Sequence, residues 1–208
     1  MSTDRAKKIK VILFDVDGVL TDGTIWLFPA PSSEPRSTDA HAQQHANSAG
    51  YGIVSQNMIE AKGFHAHDGT GISLARLGGL KTGLVTKRIS ETVALRARDL
   101  KIDYVFQGAA NKSEVLDKIL AEHGFREEEI AYVGDDIIDL PIMERCGLAI
   151  AVANARPQVT AMAHYHTCTA GGAGAARDAV EYILKAQGTL EKVIEAYIYA
   201  RTSVGAKG

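Results

Sequence analysis

Val11-Ile12-Leu13-Phe14-Asp15-Val16-Asp17-Gly18 decides how this chain is read, and Ile130-Ala131-Tyr132-Val133-Gly134-Asp135-Asp136 repeats its design. Each is an apolar run closed by an acidic cluster. Apolar runs of this length and β-branched content predict strands buried on both faces, as in a parallel sheet. The loops past the carboxyl ends of such strands face a common crevice. Two acidic clusters converging there would repel each other. A hard cation taking oxygen ligands removes the conflict, and Mg2+ is the usual choice where phosphate is also present. The two segments therefore predict a metal-assisted site for a phosphorylated substrate.

Outward from these segments, strand and helix signals alternate. Thr82–Val85, Tyr104–Phe106 and Leu148–Val152 read as further strands. Gly71–Leu77 has helical character after a turn at Asp68-Gly69, and Gly78-Gly79 stops it. Ser90 reads as the N-cap of a helix to about Leu100, and Asn111 as the cap of one running to His123 before Gly124. Gly171-Gly172 precedes a helix from about Ala175 to Lys185, and a last helix covers roughly Leu190 to Ala200. Its apolar stripe reads as core or subunit contact. This rhythm predicts an α/β, doubly wound, mostly parallel sheet with helices on both faces. Pro29 to about Gln56 breaks it, with three of the five prolines and a His/Ser/Ala/Gln-rich composition. It reads as an elaborated excursion between first strand and first helix. No domain boundary is visible, so residues 1–208 are expected to form a single domain.

Composition narrows the function classes. With 208 residues the chain can bury one sizeable core, and 46% hydrophobic and 23% charged residues are ordinary for a soluble globular protein. A net charge of −2 gives no reason to expect nucleic-acid or acidic-membrane binding. Cys146 and Cys168 form neither a disulfide framework nor a zinc spacing, which favours a reducing cytoplasm. No apolar stretch reaches the roughly 18–20 residues that span a bilayer, and Met1–Lys10 lacks the apolar core of a signal peptide.

The acidic segments also suggest the chemistry. Asp15, at a strand end, is a competent nucleophile toward phosphorus once a cation neutralises the phosphate oxygens. Asp17 lies two residues on and points to the same side of an extended chain. A carboxyl there can protonate a leaving oxygen and later deprotonate a water. Gly18 permits a sharp turn and a close approach of backbone amides to phosphate.

Asp15-Val16-Asp17-Gly18-Val19-Leu20-Thr21-Asp22-Gly23 resembles the first motif of the haloacid dehalogenase superfamily of phosphatases. Thr86, Lys112 and Gly134-Asp135-Asp136 with Asp139 match its later motifs in order. Lysine at a helix start works against the helix dipole, so Lys112 has little structural reason to be there. Asp68-Gly69-Thr70-Gly71-Ile72, Gln107-Gly108, Asp139-Leu140-Pro141-Ile142-Met143 and Gly171 to Arg177 are similar to the 3-deoxy-D-manno-octulosonate 8-phosphate phosphatases of lipopolysaccharide biosynthesis. They are also similar to the phosphatase-like domain fused to some sialate cytidylyltransferases. The resemblance implies a Rossmann-like fold without a large cap domain. It also implies a β-hairpin flap at about 24–66, and a homotetramer in which this flap closes a neighbour's site.

The resemblance implies roles by position. Asp15 is the nucleophile and a Mg2+ ligand. Asp17 is the general acid/base and a ligand through its backbone carbonyl. Asp135 is the third ligand, supported by Asp136 and Asp139. Thr86 and Lys112 hold the transferring phosphoryl group. Substrate contacts fall to His65, His67, Asp68, Gly69, Arg88 and Arg96. The chain departs from the pattern on this side. Lys87-Arg88 stands where the family has Gly-Arg, His65-Ala66-His67 where it has Asn-Val-Arg, and Ala173 where it often has arginine. A histidine cannot make arginine's bidentate fork to a carboxylate. His41/His45 and His65/His67 lack a Cys or Glu at ligand spacing and read as loop residues rather than zinc ligands. Three functions fit these residues: a Mg2+-dependent phosphatase of a sugar-acid phosphate, the same chemistry on another small phosphorylated substrate, or a non-catalytic oligomerisation or regulatory module.

Overall fold

A computed structural model describes residues 1–29, 43–44, 53–54 and 58–202. In chain order the elements are α1 (Ser2–Ala6), β1 (Val11–Phe14), β2 (Trp26–Pro29), β3 (Gln43–Gln44), β4 (Ile53–Val54), β5 (Met58–Ala61), α2 (Ala66–Leu77), β6 (Lys81–Thr86), α3 (Glu91–Leu100), β7 (Tyr104–Gln107) and α4 (Lys112–His123). Next come β8 (Ile130–Gly134), α5 (Leu140–Met143), β9 (Leu148–Ala151), α6 (Pro157–Met162), β10 (Tyr165–His166), α7 (Ala175–Ala186) and α8 (Leu190–Thr202). Six strands form one sheet in the order β10-β9-β8-β1-β6-β7. Every pairing with a described register in it is parallel.

The acidic apolar runs are the central strands. Val11, Leu13 and Phe14 pair with Ile130, Tyr132 and Val133 on one side, and Phe14 with Leu84 on the other. All four residues of β1 are fully buried. Ile12 and Phe14 enter one core, with Ile72, Val93, Ala176 and Val180 from α2, α3 and α7. Val11 and Leu13 enter the other, with Leu116, Ile142 and Val159 from α4, α5 and α6. Strand side chains alternate between faces, so a run without polar positions requires helices on both. After β1 the chain builds β6 and β7 on one side, then crosses to build β8, β9 and β10 on the other. Strand order therefore reverses at β1, where open α/β sheets place ligands.

Outside this sheet, β2 and β5 form an antiparallel hairpin, with Trp26 opposite Ala61 and Phe28 opposite Ile59. Most of the Pro29–Gln56 excursion, including His41 and His45, lies outside the described residues. No helix among the described residues is long and apolar enough to cross a membrane.

Two local expectations are corrected. Helix α2 begins at Ala66, so Asp68-Gly69 is its first turn and not a turn before it. His65 makes this possible, because its Nδ1 accepts from the His67 N–H and caps the helix. Gly71 persists inside α2 because α7 packs so close: a Cβ there would lie 2.7 Å from Arg177 Cα. The second correction concerns Ser90, which precedes α3 but makes no side-chain cap bond. Its hydroxyl donates to Glu60 Oε1 at 2.6 Å, tying α3 to the hairpin.

Candidate active site

The chain turns sharply at the end of β1. Asp15 N–H still bonds the Val133 carbonyl, and the amides of Val19, Leu20 and Thr21 all return to the Val16 carbonyl. Gly18 sits at φ +96°, a region costly for any residue with a Cβ. The Gly171-Gly172 segment closes over this turn, with Gly172 N–H on Val19 O and Gly171 N–H on Asn154 Oδ1.

Asp15 is buried beside Lys112, the first residue of α4, whose Nζ lies 2.8 Å from Asp15 Oδ1 and 2.6 Å from Asp139 Oδ1. Asn111 caps that helix through the Ser113 N–H, directing Lys112 inward. Tyr132, in β8, donates its hydroxyl to Asp139 Oδ1 at 2.7 Å and accepts from Lys112 at 3.0 Å. The other Asp139 oxygen accepts from the amides of Asp135 and Asp136. Both oxygens of Asp139 are thus occupied, which suits it to holding Lys112 and the 134–136 turn in place.

Burial pushes Asp15 up to about 7 against the pull of Lys112, with Asp139 adding repulsion. Asp135 is also pushed up to about 7, by burial first and then by Asp15, Asp139 and Asp136. Burial alone would lower Lys112, but Asp15 and Asp139 outweigh it and raise the group, so it stays a cation. One lysine does not neutralise three crowded carboxylates. Ligand atoms of Asp15, Asp135 and Asp139 lie within 4.8 Å of one another, and Asp135 Oδ1 is buried with no hydrogen-bond donor. An orphaned acceptor in a cluster of hard oxygen donors fits a magnesium ion.

A cavity of about 200 Å³ opens beside these groups, lined by Asp15, Asp17, Ile25, Thr86, Lys87, Arg88, Asp135, Asp136 and Ile138. Asp15, Asp17, Thr86, Arg88, Asp135 and Asp136 therefore converge, with Lys112 and Asp139 beneath them. His65, His67, Asp68, Gly69 and Arg96 do not line it. They form a second group where α2, α3 and α7 meet. Asp68 is buried and accepts from Arg177 N–H, capping α7; burial raises its pKa. Arg96 pairs with Asp99, lies over the Phe64 ring and contacts Gly69. His65 and His67 stack edge to face as part of the helix start.

Sequence reading missed three residues. Tyr132 was concealed in an apolar run, where only strand alternation could have marked its side as that of the lysine. Lys62 bonds Asp17, and Glu60 bonds Arg88 and Ser90. Both come after the irregular excursion, and no local pattern ties them to partners 28–45 positions away.

The comparisons agree with this geometry. A family model described as haloacid dehalogenase-like hydrolase matches residues 85–177. The 3-deoxy-D-manno-octulosonate 8-phosphate phosphatase of Escherichia coli K12 is 34% identical over 188 residues, 90% of this chain and 86% of that protein. The crystal structure of the same-named phosphatase from Moraxella catarrhalis, in complex with magnesium, phosphate and the sugar acid, superposes with a TM-score of 0.77. It is 32% identical, over 94% of this chain and 97% of that one. The Yersinia pestis phosphatase structure gives a TM-score of 0.75 at 33% identity, over 91% of this chain and 88% of that one. With its acidic strand ends, buried lysine and doubly wound sheet, this chain belongs to the haloacid dehalogenase-like hydrolases, among relatives that are phosphatases.

Proposed function

We propose that the chain is a Mg2+-dependent phosphomonoester hydrolase whose substrate is 3-deoxy-D-manno-octulosonate 8-phosphate, a lipopolysaccharide precursor. The observation that carries this reading is the Asp15–Lys112–Asp135 cluster, buried at the switch point of the sheet with Asp135 Oδ1 left without a donor. The identity to the Escherichia coli phosphatase across 90% of the chain supports the choice of substrate. Residues 1–208 form a single phosphatase domain with its flap at about 24–66.

A magnesium ion held by Asp15, Asp135 and the Asp17 carbonyl, with Asp136 in support, would neutralise phosphate oxygens and draw both raised carboxylates into their charged form. An Asp15 carboxylate oxygen attacks phosphorus, and the ester P–O bond breaks. The leaving oxygen takes the proton of the Asp17 carboxyl. Asp17, now a carboxylate, then takes a proton from water, whose oxygen attacks the aspartyl-phosphate. Inorganic phosphate leaves and Asp15 is restored. Thr86 and Lys112 bind the phosphoryl oxygens throughout, with Asp139 and Tyr132 holding Lys112 in place.

Arg88 lies close enough to the phosphate pocket to contact substrate in the same subunit. His65, His67, Asp68, Gly69 and Arg96 act at a subunit boundary, in a cytoplasmic homotetramer whose hairpins reach neighbouring sites. Trp26, Leu27, Phe28, Met58 and Ile59 all expose more than a third of their surface on this hairpin, an apolar patch suited to burial by a partner. A second reading, another small sugar or sugar-acid phosphate, is favoured by Lys87, which adds a cationic side chain to the cavity wall.

Turnover of 3-deoxy-D-manno-octulosonate 8-phosphate against a panel of simple sugar phosphates, with Asp15→Asn as control, tests the proposal. Preference for the sugar-acid phosphate, lost in Asp15→Asn, supports it. Preference for a simple sugar phosphate selects the second reading, and turnover by Asp15→Asn refutes the nucleophile.

A further inference from the structure

The Lys62 side chain is fully buried, and its ammonium contacts Asp17 Oδ1. A buried ammonium is costly unless paired. The described charges around it are Asp17, Glu60 (4.0 Å from Nζ) and, across Asp17, Arg88, whose Nε lies 4.0 Å from Asp17 Oδ2. Asp17 and Arg88 line the cavity, whereas Lys62 is not among its lining residues. Lys62 therefore meets the reaction only through Asp17.

Its placement is set from the hairpin. Glu60, at the end of β5, accepts from Ser90 Oγ at 2.6 Å and from Arg88 Nη2 at 3.0 Å, and its carbonyl accepts from Thr92 Oγ1 at 3.3 Å. Three bonds thus clasp this strand to the segment after β6. Lys62 stands two residues beyond Glu60, where the strand ends. The same clasp holds Arg88, so both cations flanking Asp17 depend on one carboxylate.

We propose that Lys62 is a positioning residue for Asp17, and that Glu60 is the clasp that sets it there. By holding Oδ1, Lys62 fixes the rotation of the carboxyl group and leaves Oδ2 to face the leaving oxygen. The hairpin thereby orients the acid of its own subunit. This inference rests on the phosphatase reading and on the assignment of Asp17 as general acid.

The test is rapid-quench measurement of aspartyl-phosphate formation by the full chain with Mg2+. It compares an alkyl substrate, a sugar phosphate that the wild type hydrolyses, with 4-nitrophenyl phosphate. An alkoxide needs a proton to leave and 4-nitrophenolate does not. A misplaced acid therefore slows only the first, and general acid catalysis is worth about 10²–10⁴-fold. Lys62→Met is expected to slow the alkyl reaction by roughly 10–100-fold and the aryl reaction by less than about 3-fold, with Lys62→Arg restoring part of the loss. Glu60→Gln, which leaves Lys62 in place but loosens the clasp, is expected to show the same ratio more weakly, and it carries the test if Lys62→Met does not fold. Equal losses on both substrates, or no loss, overturn the inference. A wild type inactive on both refutes the phosphatase reading instead.

Discussion

Gly18→Ala separates the stability of this protein from its chemistry. At φ +96° an alanine costs about 1–2 kcal/mol in backbone strain. The added methyl would also overlap Asp135 Oδ2 and lie 2.6 Å from the Asp135 carboxyl carbon, where ordinary contacts run from 3.4 to 4 Å. Asp135 is the far end of a side chain and can rotate away, so folding loses little beyond the strain. Catalysis has no such escape, because the carboxylate must retreat by about 1 Å, a displacement that can cost on the order of 10²-fold in rate. Urea denaturation of the metal-free protein is expected to show a loss near 1–2 kcal/mol. Turnover titrated with Mg2+ should show a raised half-saturation and a fall in kcat of roughly 10²-fold. Asp135→Asn, which keeps the glycine, should reproduce the catalytic loss without the strain. A Gly18→Ala enzyme with wild-type magnesium half-saturation would refute the placement of Asp135 as a ligand.

Asp15 and Asp135, both raised to about 7 from 3.8, stay protonated in the metal-free fold at pH values where the unfolded chain has ionised them. Their contribution is complete below about pH 4 and is lost as pH rises toward 7, a change on the order of a few kcal/mol. The rise in Tm produced by Mg2+ should therefore be larger near pH 8 than near pH 5; equal shifts would show that the two carboxylates are not held by the ion. For the shared-site proposal, Asp15→Asn subunits mixed with subunits lacking residues 30–57, which keep Glu60 and Lys62, should recover some activity. Verified mixed oligomers with none would refute a site closed by a neighbour.

The sheet was legible because its central strands have no polar position: Val11–Phe14 and Ile130–Val133 can be satisfied only by burial on both faces. The cap at Asn111 and the stop at Gly124 were legible for the same local reason, since a backbone end needs a partner within a few residues. Ser90 shows the limit. It precedes a helix as an N-cap does, yet a carboxylate 30 positions earlier takes its hydroxyl. Asp68-Gly69 shows it again: the glycine that signals a turn lies inside α2, against the Arg96 and Leu100 side chains of α3.

From the sequence alone came the chemistry of phosphate and metal, because Asp15, Asp17 and Asp135 sit at fixed offsets from the strands that carry them. The tertiary structure alone decided which groups support that chemistry. Tyr132 joins Asp139 in fixing Lys112 from below, Lys62 reaches Asp17 from the hairpin, and Glu60 clasps Arg88 and Ser90. These pairings join residues far apart along the chain. Charge and hydrogen bonding act through space, and only the folded chain sets those distances.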